Sequence, residues 1–403
     1  MEKLTIKNIS KNDLKKVDKL MIYCFGAGQE PDPENEVKEY QETIDLNYAW
    51  GYYNEEGELV STWITFPWEA YFRGKLLKFG AVADVTTQPE YRRKGYVREL
   101  FLQSLKQMKE NGYVMSGLYP FKFPYYEKFG YALGSESINL KCTPSEILLP
   151  DNFTALKIKE IPKEETFDKL VPLRNEFGKK YNFIHFSDEK TWLVRMIRKR
   201  DQVYGVYDLN GKLVGYFISR ITKLPTGQWD SALDISEVIV TTRDAFFTIL
   251  DFIKKHTDQT NEFRWRVIDE ELDFINFIEK YAVKIEIKPS VMFRVVDVKS
   301  ALEALDYPKA IADSITLLIH DKYAEWNNGY FELTVKNGKV KCQKIEKSEA
   351  DLEIDINSFT QLFIGYKTIE HLIYVTNAKI KKEKLVIINE LFPKKSTKQL
   401  VHF

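Results

Sequence analysis

The sequence predicts a mixed α+β (α/β) protein of three units: two related units in tandem, the second degenerate, then a smaller α+β unit. Three observations carry this. The chain has 403 residues, more than one hydrophobic core usually serves. A hairpin-like stretch from Tyr53 to Ile64 recurs from Tyr207 to Ile218. The last hundred residues change pattern, with short alternating runs around an Asn-Gly pair.

In the first hairpin, apolar residues flank a polar turn that contains Gly57. Tyrosine, glycine, Leu-Val and the closing isoleucine recur at the same spacing 154 residues on. Val85-Thr86-Thr87 recurs as Val240-Thr241-Thr242, 155 residues on, each ahead of an apolar helix-like run. Two matches at nearly one offset point to a duplicated unit. The copies part after that tripeptide. The first enters a basic, glycine-bearing turn, "PEYRRKGYVREL" (Pro89 to Leu100). The second enters "RDAFFTILDFIKKH", with no glycine and no cationic cluster, so the second copy is not expected to bind what the first binds there.

In the third unit, Lys299 to Ile311 reads as a helix. Phe331, Leu333 and Val335 alternate up to Asn337-Gly338, and Val340 and Cys342 alternate away. Asn-Gly between such runs signals a hairpin, because both turn positions need positive φ. Leu352, Ile354 and Ile356 read as a third strand, and "NSFTQLFIGYKTIEHLIY" returns to helical spacing. Boundaries fall near 150 and 290, giving units 1–150, 151–290 and 291–403.

Composition narrows the class. With 44% hydrophobic and 14% aromatic residues the chain builds real cores. Basic and acidic residues number 59 each, which argues against nucleic acid as the main partner. The start, "MEKLTIKNISKNDLKKVDKL", has no apolar h-region, and no apolar run approaches a membrane span. Cys24, Cys142 and Cys342 are far apart and odd in number, so no zinc spacing or disulfide framework is expected, nor any metal. A reduced, cytoplasmic compartment is the expectation.

The chemistry concentrates after "LLKFGAVADV" (Leu76 to Val85), an apolar, β-prone run. From Val97, residues Leu100, Phe101, Leu105 and Met108 share one helix face. Arg92-Arg93-Lys94-Gly95 therefore sits at a helix N-terminus. The first N–H groups there lack intrahelical acceptors, and the helix dipole is positive. Three cations oppose that dipole unless an anion neutralises them, and glycine lets an anion approach the backbone. These features suit a pyrophosphate cradle; a solvated basic helix start is the alternative.

Arg92-Arg93-Lys94-Gly95-Tyr96-Val97 resembles the acetyl-CoA loop of GCN5-related N-acetyltransferases (GNATs), Gln/Arg-x-x-Gly-x-Gly/Ala, with Val97 departing from the usual small last residue. Tyr126-Glu127-Lys128-Phe129-Gly130-Tyr131 resembles the signature of the Eis-type (enhanced intracellular survival) acetyltransferases. That resemblance implies two GNAT-like domains, the second degenerate, and a C-terminal domain similar to sterol carrier protein 2. It implies that acetyl-CoA is bound through backbone groups at Val85 and Thr87, one N–H there serving the oxyanion. Its pyrophosphate would be held by Arg92, Arg93, Lys94, Gly95, Tyr96, Val97 and Arg98. Tyr126 would be the general acid, protonated at neutral pH with an unperturbed pKa of about 10. The terminal carboxylate of Phe403 would be the base. Tyr125 adjoins Tyr126, so spacing alone does not choose between them. Tyr131 fits a packed position, and Phe129 and Gly130 fit the turn that aims Tyr126.

For the acceptor, the resemblance implies a cationic amine, aminoglycoside- or polyamine-like, with a protein lysine as an alternative. The stretch "QEPDPENEVKEYQETID" (Gln29 to Asp45) carries seven acids and one lysine, either an entrance that favours a cation or a solvated acidic helix. Trp50, Trp63, Phe66, Trp68 and Tyr71 suit either a pocket wall or a sheet core. A binding protein with a relic transferase domain is the reading from a different class; the intact loop and Tyr126 speak against it. Homo-oligomers, hexamers among them, are also implied by the resemblance.

Overall fold

The structure is a computed structural model that describes residues 4–26, 41–197, 200–267, 269–280 and 283–398. Three sheets organise the described residues, each with helices against it.

The first sheet runs in the order Thr5–Asn8, Ala49–Tyr53, Leu59–Phe72, Lys75–Thr87, Met115–Leu118, Met292–Val295, Ala132–Leu133. The helix Tyr96–Glu110 crosses from Lys75–Thr87 to the parallel strand Met115–Leu118, the connection a parallel pair requires. Its buried stripe is Leu100, Phe101, Ser104, Leu105 and Met108, the face expected from periodicity. Each large apolar residue so buried contributes about 1.5–3 kcal/mol. Val97 opens the stripe but is only half-buried.

The second sheet runs Lys284–Pro289, Glu136–Cys142, Glu262–Val267, Ser231–Val240, Leu213–Lys223, Gln202–Tyr207, Lys157–Glu160. The repeated hairpins fold alike. In the first, Asn54 N–H donates to Glu58 O at 3.0 Å and Gly57 adopts φ 76°. In the second, Asp208 N–H donates to Lys212 O at 2.9 Å and Gly211 adopts φ 79°. The copies then diverge in length. The second enters its helix, Arg243–Lys254, directly from the strand, with Thr242 Oγ1 accepting from Ala245 N at 3.2 Å. The first inserts a loop before Tyr96 and has no side-chain cap.

The two sheets also exchange strands. Glu136–Cys142 lies within the first unit in sequence yet hydrogen-bonds in the second sheet. Met292–Val295 follows the second unit yet lies between Met115–Leu118 and Ala132–Leu133 of the first. A short strand, His185–Phe186, adds to Leu59–Phe72.

The third sheet runs Lys339–Ile345, Gly329–Lys336, Ala312–His320, Leu352–Asp355, Lys379–Ile380. Asn337 and Gly338 adopt φ 54° and 75°, the turn the sequence demands. Two local expectations are corrected. The helix after residue 297 is Val298–Ala304 only, because Leu305 is already extended and Pro308 can neither donate an N–H nor tolerate helix before it. Ile356 is not in a strand: the Asp355 carboxylate accepts from Ser358 N at 2.9 Å and starts the helix Ile356–Phe363.

Trp63, Phe66, Trp68 and Tyr71 are buried in the sheet core, and Trp50 is half-buried, donating to Gln107 Oε1 at 2.8 Å.

Candidate active site

The strand Lys75–Thr87 pairs with Met115–Leu118 only from Phe79 to Val82. Beyond Val82 the parallel pairing ends, where the partner strand stops at Leu118. A bulge marks the same place: Thr62 pairs with Thr86 but Ile64 with Ala83, leaving Asp84 and Val85 opposite one residue. Asp84 takes φ 52°, a left-handed conformation that Asp tolerates better than bulkier residues. Thr62 Oγ1 fixes it by donating to Asp84 O at 2.6 Å. Past the end of the parallel pairing, Val85, Thr86 and Thr87 line a cleft of about 860 Å³.

The loop that follows forms the cleft's basic wall. Arg93 at φ 64° and Gly95 at φ 93° turn the chain into the helix. Gly95 is the N-cap, and no side chain caps the first N–H groups. Arg92 Nε donates to Thr87 O at 3.1 Å, tying loop to strand. Arg92, Arg93, Gly95, Tyr96, Val97 and Arg98 all line the cleft. With Lys122 and Lys128 opposite, the described lining carries five cations and no acid.

The far wall is the tyrosine turn. Helix Phe123–Glu127 ends where Phe129 N and Tyr131 N both donate to Tyr126 O, at 2.9 and 3.3 Å. Tyr126 is buried, its ring 5.1 Å from Tyr125, 5.6 Å from Phe121 and 6.3 Å from Tyr131. Among the described residues no hydrogen bond holds its hydroxyl. Burial, reinforced by Tyr125 and Tyr131, raises its pKa above the ordinary tyrosine value, so it keeps its proton. Tyr125 lines the cleft itself, and burial pushes it up to about 12. Tyr131 is a core residue, its hydroxyl 2.9 Å from Ser116 Oγ.

Of the residues expected from sequence, Val85, Thr87, Arg92, Arg93, Gly95, Tyr96, Val97 and Arg98 converge on this one cleft. Lys94 does not line it: it is exposed, with Nζ 5.0 Å over the Tyr91 ring. Tyr126 lies beside the cleft with Tyr125 on its wall. Phe403 lies outside the described residues, as does most of the acidic stretch. The last described segment is anchored: Lys398 N donates to Asn182 O at 2.9 Å and its Nζ to Val238 O at 3.2 Å.

Sequence reasoning missed Phe121, Lys122, Lys128 and Tyr323 in the lining. The two lysines flank the tyrosine turn, so the same cation-by-turn argument applied to Arg92 would have found them. Tyr323 comes from the third unit, and no local signal places it here. Its ring lies 5.7 Å from Phe101 and 5.9 Å from Phe129.

Comparison with known proteins agrees with this geometry. The profile of the acetyltransferase (GNAT) domain matches residues 5–134, and that of the sterol carrier protein domain matches residues 298–398. No curated protein gives a significant sequence match. Among solved structures, a GCN5-related N-acetyltransferase from Anabaena variabilis superposes over 100% of both chains with TM-score 0.86 at 21% identity. A conserved protein of unknown function from Enterococcus faecalis, described as a probable N-acyltransferase, covers 99% of this chain and 98% of its own, with TM-score 0.85 at 23% identity. Eis1 from Mycobacterium abscessus covers 100% of both chains with TM-score 0.80 at 15% identity. At these identities the likeness is one of fold. The chain therefore carries an acetyltransferase domain of the GNAT type over residues 5–134 and a sterol carrier protein domain over residues 298–398, and it shares its fold throughout with these solved structures.

Proposed function

We propose that the chain transfers acetyl from acetyl-CoA to a primary amine of a cationic small molecule, aminoglycoside- or polyamine-like. The observation that carries the cofactor half is the cleft lining: a bulged strand at one end, and five cations with no acid around an uncapped helix start. Such a lining favours a pyrophosphate at Arg92, Arg93 and Arg98 and on the N–H groups near Gly95. Lys94 belongs to the same reading through long-range charge alone.

The reaction forms a bond from the neutral amine nitrogen to the acyl carbon and breaks the carbon–sulfur bond. A backbone N–H at the Asp84–Val85 bulge offsets charge on the acyl oxygen. Tyr126 gives its proton to the departing sulfur, and the nitrogen's surplus proton passes to a base. By family likeness that base is the Phe403 carboxylate. A cytoplasmic location and a homo-oligomer, with a hexamer as the fullest form, belong to the same reading.

The test is acetyl-CoA-dependent thiol release against tobramycin, spermidine and a lysine peptide. Turnover with tobramycin or spermidine supports the reading. Turnover with the peptide alone moves the acceptor to protein lysines. No turnover with any of them removes the acceptor class.

A further inference from the structure

The turn that carries Tyr126 belongs to the first unit, yet the third unit holds it. Asn357, in the helix Ile356–Phe363, donates from Nδ2 to Glu127 O and to Tyr131 O, each at 2.8 Å. Gln361, one helical turn on, donates to Leu133 O at 2.8 Å. Arg294 donates from Nη1 to Phe129 O at 2.7 Å. Its Nη2 pairs with Asp321 of the third unit at 2.6 Å, both side chains being buried. Asp321 in turn accepts from Asn327 Nδ2 at 3.1 Å and from Tyr323 N at 3.0 Å, and Tyr323 lines the cleft.

The carbonyls of Glu127, Phe129, Tyr131 and Leu133, at alternate residues, are thus each held by a side chain that lies in the third unit or is anchored to it. A connecting segment ordinarily satisfies such groups with water or its own backbone. Here three of the four are held from a separate domain and the fourth by a side chain paired to it, at the segment of Tyr126, whose hydroxyl no described residue holds. The place of that hydroxyl follows from the turn's backbone and from the ring's packing on Phe121, Tyr125 and Tyr131, and Tyr126 O, accepting from Phe129 and Tyr131, ties the residue to the turn.

We propose that the sterol carrier protein domain is a positioning element of the active site: Asn357 and the Arg294–Asp321 pair set the place of Tyr126 against the cleft. Transfer then depends on side chains that never touch the reacting groups. The inference rests on the reading of Tyr126 as the acid.

The test is Asn357→Ala in the full chain. Asn357 is half-buried, so the change removes two hydrogen bonds without emptying the core. A displacement of about 1 Å costs up to about 100-fold in rate. The expected result is about tenfold faster hydrogen exchange at the Phe129 and Tyr131 amides. With whichever of tobramycin or spermidine turns over, kcat should fall about tenfold and the acetyl-CoA Kd should stay unchanged. In a Tyr126→Phe background the same substitution should cost nothing further, since the group it positions is already gone. Unchanged exchange overturns the inference. So does an equal loss of kcat in the Tyr126→Phe background, which would mark a general structural effect. Tyr126→Phe alone with full turnover would sink the acid reading itself, and this inference with it, so the single variant separates the two failures. Should Asn357→Ala fail to fold, Asn357→Asp keeps the volume and removes the donors.

Discussion

Gly130 and Arg294 occupy one space. A Cβ added at Gly130 would overlap Arg294 Nη1, and Gly130 already holds φ 84°. The signature glycine is therefore needed twice, for its left-handed backbone and for the guanidinium that bonds Phe129 O. Arg294 cannot retreat, because Asp321 holds it in a buried ion pair.

Gly130→Ala should accordingly destabilise the chain by about 3 kcal/mol, through backbone strain plus displacement of a buried charge. Urea unfolding measures it. A loss within about 0.5 kcal/mol, ordinary for surface positions, would mean the guanidinium relocates freely.

The basic loop gives a graded expectation. Arg93→Ala and Arg98→Ala each remove a cleft-lining cation and should weaken acetyl-CoA binding about tenfold, the scale of one charge-assisted hydrogen bond. Lys94→Ala, whose side chain lies off the lining, should weaken it less than threefold, with the difference fading as salt is raised. Calorimetric titration of acetyl-CoA at two ionic strengths compares them.

Much of the fold was legible because its signals are local. The hairpin turns, the helix from Tyr96 and the Asn337-Gly338 turn each follow from a few neighbouring residues. The cleft's basic wall was legible for the same reason, since Val85 through Arg98 is one continuous segment. What sequence did not carry is non-local. The placing of Met292–Val295 between two first-unit strands, Tyr323 on the cleft wall, and Asn357 on the tyrosine turn join residues more than a hundred and fifty positions apart. Helix limits failed where a cap or proline overrode periodicity, at Leu305 and Asp355.

His185 gives a pH prediction at the seam of the first two units. It is buried and stacks on Trp68 with ring centroids 4.9 Å apart. Burial, aided by the nearby Arg174 charge, lowers its pKa to about 3. A histidine held neutral in the fold stabilises it above the unfolded value of about 6.5, and that stability is lost as pH falls from there toward the folded value. From pH 7 to 5 the loss is about 2 kcal/mol, at about 1.4 kcal/mol per unit. His185→Leu should lose correspondingly less over this range in urea unfolding, and an equal loss would place the effect elsewhere.

Tyr126 gives the opposite sign. Its pKa is raised by burial and by its tyrosine neighbours, so the acid form persists beyond the ordinary value of about 10. Turnover should not fall between about pH 8 and 10, and folding stability from this group should be lost only above that range. A kcat that declines with a midpoint below pH 9 would assign the acid to another group.

The proposed transfer joins acetyl-CoA binding in this cleft to a proton from Tyr126. Its most direct measurement is Tyr126→Phe, read as kcat and as acetyl-CoA Kd together. The expected result is a fall in kcat of about 100-fold or more with Kd unchanged, because the basic wall is untouched. Unchanged kcat, or a Kd lost in step with kcat, would contradict it.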